Sequence, residues 1–92
     1  MTPEHLHALL TAAEAKKNDD GWVALPEGRA LTLYVGSSGA TLTVPRVQSV
    51  KPDGALLHAR TTKSEHYVVA LVDAFAGSIE APVGVTKKAG FL

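Results

Sequence analysis

The feature that most constrains this chain is a change of parity inside a strand-forming run. The stretch LTLYVGSSGATLTVPRVQSV spans Leu31 to Val50. Leu31, Leu33 and Val35 alternate with Thr32 and Tyr34, the period-two pattern of a strand with one buried face. Gly36-Ser37-Ser38-Gly39 then turns the chain. The glycines permit positive φ and the serines can hydrogen-bond the turn locally. Leu42 and Val44 alternate with Thr41 and Thr43 on the return. Past Pro45 the alternation slips, because Val47 is odd-numbered and Val50 is even again. A strand keeps one face on a core through such a slip only by a bulge or a sharp bend. A long strand bent here can serve two halves of a small barrel. Leu31, Leu33, Val35, Leu42 and Val44 are expected to line it, with Thr32, Tyr34, Thr41 and Thr43 on an uncharged outer face.

The flanking segments fit that plan. Thr2-Pro3-Glu4 reads as a helix start: a capping hydroxyl, a proline at the first helical position and an acid at the positive end of the dipole. Leu6, Leu9, Leu10 and Ala13 fall at helical spacing. Lys16 and Lys17 read as the last turn, and Asn18-Asp19-Asp20-Gly21 as the stop. Further on, Lys51-Pro52-Asp53-Gly54 is a turn and Ala55–Arg60 a strand. Thr61–Glu65 is a polar connection. His66–Val72, HYVVALV, is apolar on both faces and reads as a central strand. Asp73–Gly77 reads as a short turn or 3₁₀ element, and Ser78–Ala81 as a last short strand. The expected fold is mainly β (α+β): an N-terminal amphipathic helix within 1–20, a small five-stranded bent sheet or barrel over 21–81, and a tail over 82–92. At 92 residues this is a single domain with a small core.

Composition narrows function mainly by exclusion. The chain has no cysteine, so disulfides, thiolate zinc sites, iron–sulfur clusters and cysteine nucleophiles are excluded. Lys+Arg and Asp+Glu are both 9, a balance that argues against a dedicated nucleic-acid coat and leaves little charge repulsion against self-association. No apolar stretch approaches the roughly 20 residues that span a bilayer. The N-terminus carries acids early and lysines late, the reverse of a secretory signal. A cytoplasmic protein with no membrane partner is the expectation.

From Leu31 to Glu80 the order of strand, bent strand, strand, strand, short turn and strand, preceded by a helix, resembles the Sm-like and SH3-like small β-barrels. The Sm-like resemblance implies a helix capping a five-stranded bent sheet, subunits paired edge to edge into a ring, and RNA as a possible partner. The Asn that this family carries in its third strand and the Arg-Gly of its fourth are absent. The corresponding segments read ALLHAR and HYVVALVDAFAG, so no RNA-contact residue carries over by match.

Chemistry-bearing residues are few. His5 and His7 are two apart on a helix and point to different sides, whereas helical metal ligands sit four apart. His58 and His66 flank the Thr61–Glu65 connection; paired as a hairpin they come close across the ladder, and Glu65 beside them makes a metal-binding or catalytic site conceivable. No serine stands in a Gly-x-Ser-x-Gly elbow, VGSSGA lacks the lysine and following helix of a phosphate loop, and no calcium loop is present. The chain therefore reads as non-enzymatic, with no cofactor implied. From Gly21 to Lys63, Arg29, Arg46, Lys51, Arg60 and Lys63 outnumber Glu27 and Asp53, which leaves a basic face with Tyr34 or His58 for stacking as a further expectation. A long uncharged hairpin face is unusual for a lone monomer. The leading expectation is a protein-interaction module that forms a homo-oligomer or docks on another protein, with Tyr34, Thr41, Thr43, Arg46, Arg60 and Phe91 as contact residues. The alternatives are an Sm-like RNA-binding ring, and a small metal-binding protein or enzyme built on His58, His66 and Glu65.

Overall fold

The computed structural model of the chain describes residues 1–37 and 39–80. Ser38, the tail over 82–92 and Phe91 within it lie outside the described residues. The protein is mainly β, an open and strongly curled half-barrel with one N-terminal helix.

Helix α1 (Pro3–Ala12) starts where its cap places it: the Thr2 hydroxyl accepts the His5 N–H at 3.0 Å. It ends earlier than the lysine pair suggests. The Glu14 N–H donates to the Thr11 carbonyl and the Ala15 N–H to the Leu10 carbonyl, both at 3.0 Å. These are the two bonds of a Schellman end. That end needs a left-handed residue, and Glu14 supplies it at φ 61°. Arg29 fastens the turn, its Nη1 lying 3.4 Å from both the Ala13 carbonyl and Glu14 Oε1. Lys16 and Lys17 are therefore not a last helical turn. They form β1 (Lys16–Lys17), antiparallel to β2 (Val23–Ala24). The Asn18 side chain shapes the loop between them by accepting the N–H groups of Asp20 and Trp22.

The principal strands are β3 (Ala30–Ser37), β4 (Ala40–Asp53), β5 (Leu56–Thr61), β6 (His66–Ala70) and β7 (Ala74–Glu80), with a 3₁₀ turn at Leu71–Asp73. All pairings are antiparallel, and β4 is the spine. Its first half pairs with β3, its second half with β5, and Val50 and Ser49 also pair with β2. β7 pairs with β3 and β6 with β5.

The parity slip has its explanation in β4. Between the register pairs Leu31↔Val47 and Leu33↔Val44, Thr32 alone opposes Pro45 and Arg46. Arg46 sits at φ 59°, the left-handed geometry of a bulge. A second bulge at Gln48 interrupts the pairing with β5. Two extra residues turn a period of two into a period of three, so Val44, Val47 and Val50 all point inward and are buried. With Leu31, Leu33 and Leu57 they are the largest fully buried side chains, each contributing on the order of 1.5–3 kcal/mol. Leu6, Leu10 and Ala13 of the helix segment close the curl. Gly77 permits the approach, since a Cβ there would stand 2.5 Å from Leu9 Cδ2.

Four further expectations are corrected. Leu42 shares the inner face with its partner Val35 but is exposed; β7 pairs with β3 only as far as Val35, so the hairpin tip projects past the core. Thr32, expected on the outer face, is buried; it lies between β4 and β7 and its hydroxyl donates to Glu80 at 3.3 Å. HYVVALV is not a central strand, because β6 pairs only with β5 and the chain turns into the 3₁₀ element at Leu71. Ala74–Gly77 is strand rather than turn, so β7 starts four residues before Ser78.

Candidate functional site

Those sequence-predicted contact residues that lie among the described residues fall into two patches on opposite halves of the sheet. On the first half, Tyr34 and Thr43 are register partners across the β3–β4 hairpin, and Thr41 partners Gly36. The Tyr34 hydroxyl is 3.5 Å from Ser78 Oγ. Its ring tilts against Phe75 at a centroid distance of 6.4 Å. Phe75 reaches this face through a bulge in β7 between the pairs Tyr34↔Ala76 and Val35↔Ala74, and it is exposed. Arg46 lies on the β4 bulge, exposed, with its carbonyl accepting the Thr62 N–H at 3.0 Å.

Arg60 belongs to the other half. Alternation along β5 turns Leu57, Ala59 and Thr61 inward and presents Leu56, His58 and Arg60 outward. The Arg60 guanidinium lies over the Trp22 ring, 4.1 Å from its centroid, a cation–π contact worth about 0.5–1 kcal/mol at an exposed site. Trp22 is not among the sequence-predicted site residues. The Asn18 loop and the β2–β4 pairing bring it there. Its ring also makes edge contacts with His58 and His66, at 6.3 and 5.7 Å. Arg60 separates two shallow pockets of about 400 and 490 Å³. Asp20, Trp22 and Lys51 line the first; Ser64, Glu65 and His66 line the second; Gln48 and Ser49 border both.

His58 and His66 do meet. Nδ1 of His58 is 3.0 Å from Nε2 of His66. Glu65 does not join them through its carboxylate, which accepts the Thr61 hydroxyl at 3.4 Å. Thr61, buried at the end of β5, organises the whole connection, since its Oγ1 also accepts the N–H groups of Lys63 and Glu65. The carboxylate beside the histidine pair is instead Asp53, whose Oδ2 is 3.6 Å from Nε2 of His58. Among the described residues no group of three or more His, Asp or Glu side chains is arranged to hold a metal ion. Of the basic residues, Lys51 and Arg60 line one pocket together, Arg60 lying over Trp22, while Arg29 is engaged by Glu14.

The strand edges are the second feature of functional interest. Among the described residues no strand pairs with the outer edge of β6 or of β7. Neither edge carries a lysine or a proline, and Glu80 is the one charge on β7. Val68, Val72, Phe75 and Ile79, on these strands and the turn between them, are exposed, Val72 at 79%. No helix among the described residues is long and apolar enough to cross a membrane. Comparison of the chain with protein-family models, with curated proteins and with solved structures finds no match.

Proposed function

We propose that this chain is a non-catalytic interaction module that self-associates edge to edge, β6 of one copy pairing with β7 of the next. The observation that carries this reading is a pair of edges that, among the described residues, no strand pairs with and that carry no lysine or proline. A row of unpaired backbone N–H and C=O groups is a template for another strand, and proteins that remain monomeric blunt it with lysine, proline or a cover. Here the edge residues are His66–Ala70 and Ala74–Glu80, and their exposed large apolar side chains are Val68, Phe75 and Ile79, beside the exposed polar His66, Ser78 and Glu80. The two edges differ in sequence, so pairing one with the other is head-to-tail, which closes into a ring or runs into a filament according to the rotation between copies. The same reading follows from the pattern on which the chain resembles the Sm-like barrels, whose subunits associate edge to edge.

The test is the absolute mass in solution by light scattering after size exclusion, over a range of concentrations, for the full chain and for a form lacking 82–92. A discrete oligomer in both forms is expected. Val68→Lys is expected to convert it to monomer while leaving the thermal unfolding midpoint within a few degrees. A monomer at every concentration sinks the proposal, and an oligomer lost only with the tail moves the contact away from the strand edges.

A further inference from the structure

The His58–His66 contact is built by strand register. His58 pairs with Val68 and Arg60 with His66, so the two histidines are diagonal neighbours on the outer face. Their ring centroids are 5.2 Å apart and their facing nitrogens 3.0 Å apart. A neutral imidazole has one N–H and one lone pair, so one proton holds this contact together. Asp53 Oδ2 lies 3.6 Å from the other nitrogen of His58. A carboxylate there favours the proton on Nε2, which leaves the Nδ1 lone pair aimed at His66.

We propose that His58 Nδ1 and His66 Nε2 form a two-histidine site for a divalent transition-metal cation of the zinc, copper and nickel class. Asp53 is its positioning residue, and water fills the remaining coordination positions. Imidazole nitrogen is a preferred donor for these ions. Two nitrogens on one tetrahedral zinc stand roughly 3.3 Å apart at the usual metal–nitrogen distance, so the pair opens by only a few tenths of an ångström while each ring turns to aim its lone pair at the ion. The ion takes the place of the bridging proton, which moves through solvent from Nε2 to Nδ1 of His66, and no net proton is released. The charges around the site are two acids and two bases, with Lys51 the register partner of His58 and Arg60 that of His66. Asp53 is beside it and Asp20 lines the adjoining pocket. Of the nearby cations, Arg60 is held on Trp22, and the Lys51 stem runs past Gly21, its Cε 3.5 Å from where a Cβ on that glycine would stand. With two protein ligands the affinity is modest.

Trp22 is the chain's one tryptophan and touches both rings, so copper bound there quenches its emission. Titration of the full chain with Cu(II) is expected to give saturable quenching at one equivalent. The apparent affinity is expected to fall at least tenfold in His58→Gln and in His66→Gln, and about tenfold in Asp53→Asn. It is expected to stay unchanged in the double variant His5→Gln/His7→Gln. Zn(II) added to the unmutated chain supplies a readout independent of any variant: the ring proton resonances of His58 and His66 shift and those of His5 and His7 do not. Quenching that survives both His58→Gln and His66→Gln, quenching absent below millimolar copper, or equal zinc shifts at all four histidines overturns the site. Each readout is taken on the chain whether it is monomeric or associated, so failure here leaves the edge-pairing proposal standing.

Discussion

The two halves of the sheet have the same inner lining and different outer faces. Inside, the first half contributes Leu31, Leu33 and Val44, and the second Val50, Leu57 and Ala59, all fully or nearly fully buried. Outside, the first half presents Tyr34, Thr41, Thr43 and Phe75, a β-prone surface with charge only at its margins, on Arg46 and Glu80. The second presents Trp22, Lys51, Asp53, His58, Arg60 and His66, a cluster of rings and titratable groups. One bent strand supplies both halves, and its bulges keep the inner face constant while the outer chemistry changes. The core requirement therefore constrains the inner faces and leaves the outer faces free to differ in chemistry.

The sharpest way to break this comparison is to attack the shared core. Leu33→Ala and Leu57→Ala, one in each half, are each expected to cost about 2–5 kcal/mol. Because β4 belongs to both halves, each variant is expected to unfold in one transition. Urea melts followed by Trp22 emission, which reports the second half, and by far-ultraviolet circular dichroism, which reports the whole, should coincide. Separate midpoints would mean that the halves are independent units.

A smaller effect is expected where α1 meets β7. Gly77→Ala places a methyl against Leu9, and the leucine must change rotamer or the helix must lift. A loss of about 1 kcal/mol is expected, within the range of overpacked positions, and a thermal melt measures it. An unchanged midpoint would show that Leu9 moves freely and that the helix is loosely seated.

On the outer faces the effects are smaller again. Arg60→Ala removes the guanidinium from Trp22 and is expected to cost about 0.5–1 kcal/mol while shifting the Trp22 emission maximum. A stability loss without that spectral change would place the role of Arg60 elsewhere. Arg46→Gly has the smallest expected effect and the opposite sign. The left-handed φ of Arg46 costs roughly 1–2 kcal/mol in a residue with a Cβ, and glycine's greater unfolded-state freedom returns roughly 0.5–1 kcal/mol of that. A net gain of about 0.5 kcal/mol is expected. A loss would show that the Arg46 side chain is held by the bulge.

Much of the fold is legible along the chain. The slip after Pro45 marks the bend of β4, and Thr2-Pro3-Glu4 marks the start of α1. The helix end is not legible, because a glutamate takes the position where glycine is usual. The histidine pair can be seen as a hairpin possibility. Its carboxylate cannot, because sequence proximity favours Glu65 while strand pairing delivers Asp53. Nothing in WVAL distinguishes a tryptophan that lines a core from one that lies on an outer face.

The sequence by itself determined the start of the helix, most of the strand alternation with Leu42 and Thr32 as exceptions, the bend, and the absence of cysteine chemistry. These follow from local geometry: side chains alternate along a strand, proline disturbs a ladder, and a capping hydroxyl starts a helix. Only the tertiary structure decided that β6 is an edge, that Phe75 turns outward, and that Trp22, Asp53, His58, Arg60 and His66 converge. Each of these depends on which strand lies beside which and in what register. That is fixed by the packing of the whole sheet, since a shift of one residue in pairing moves a side chain to the opposite face.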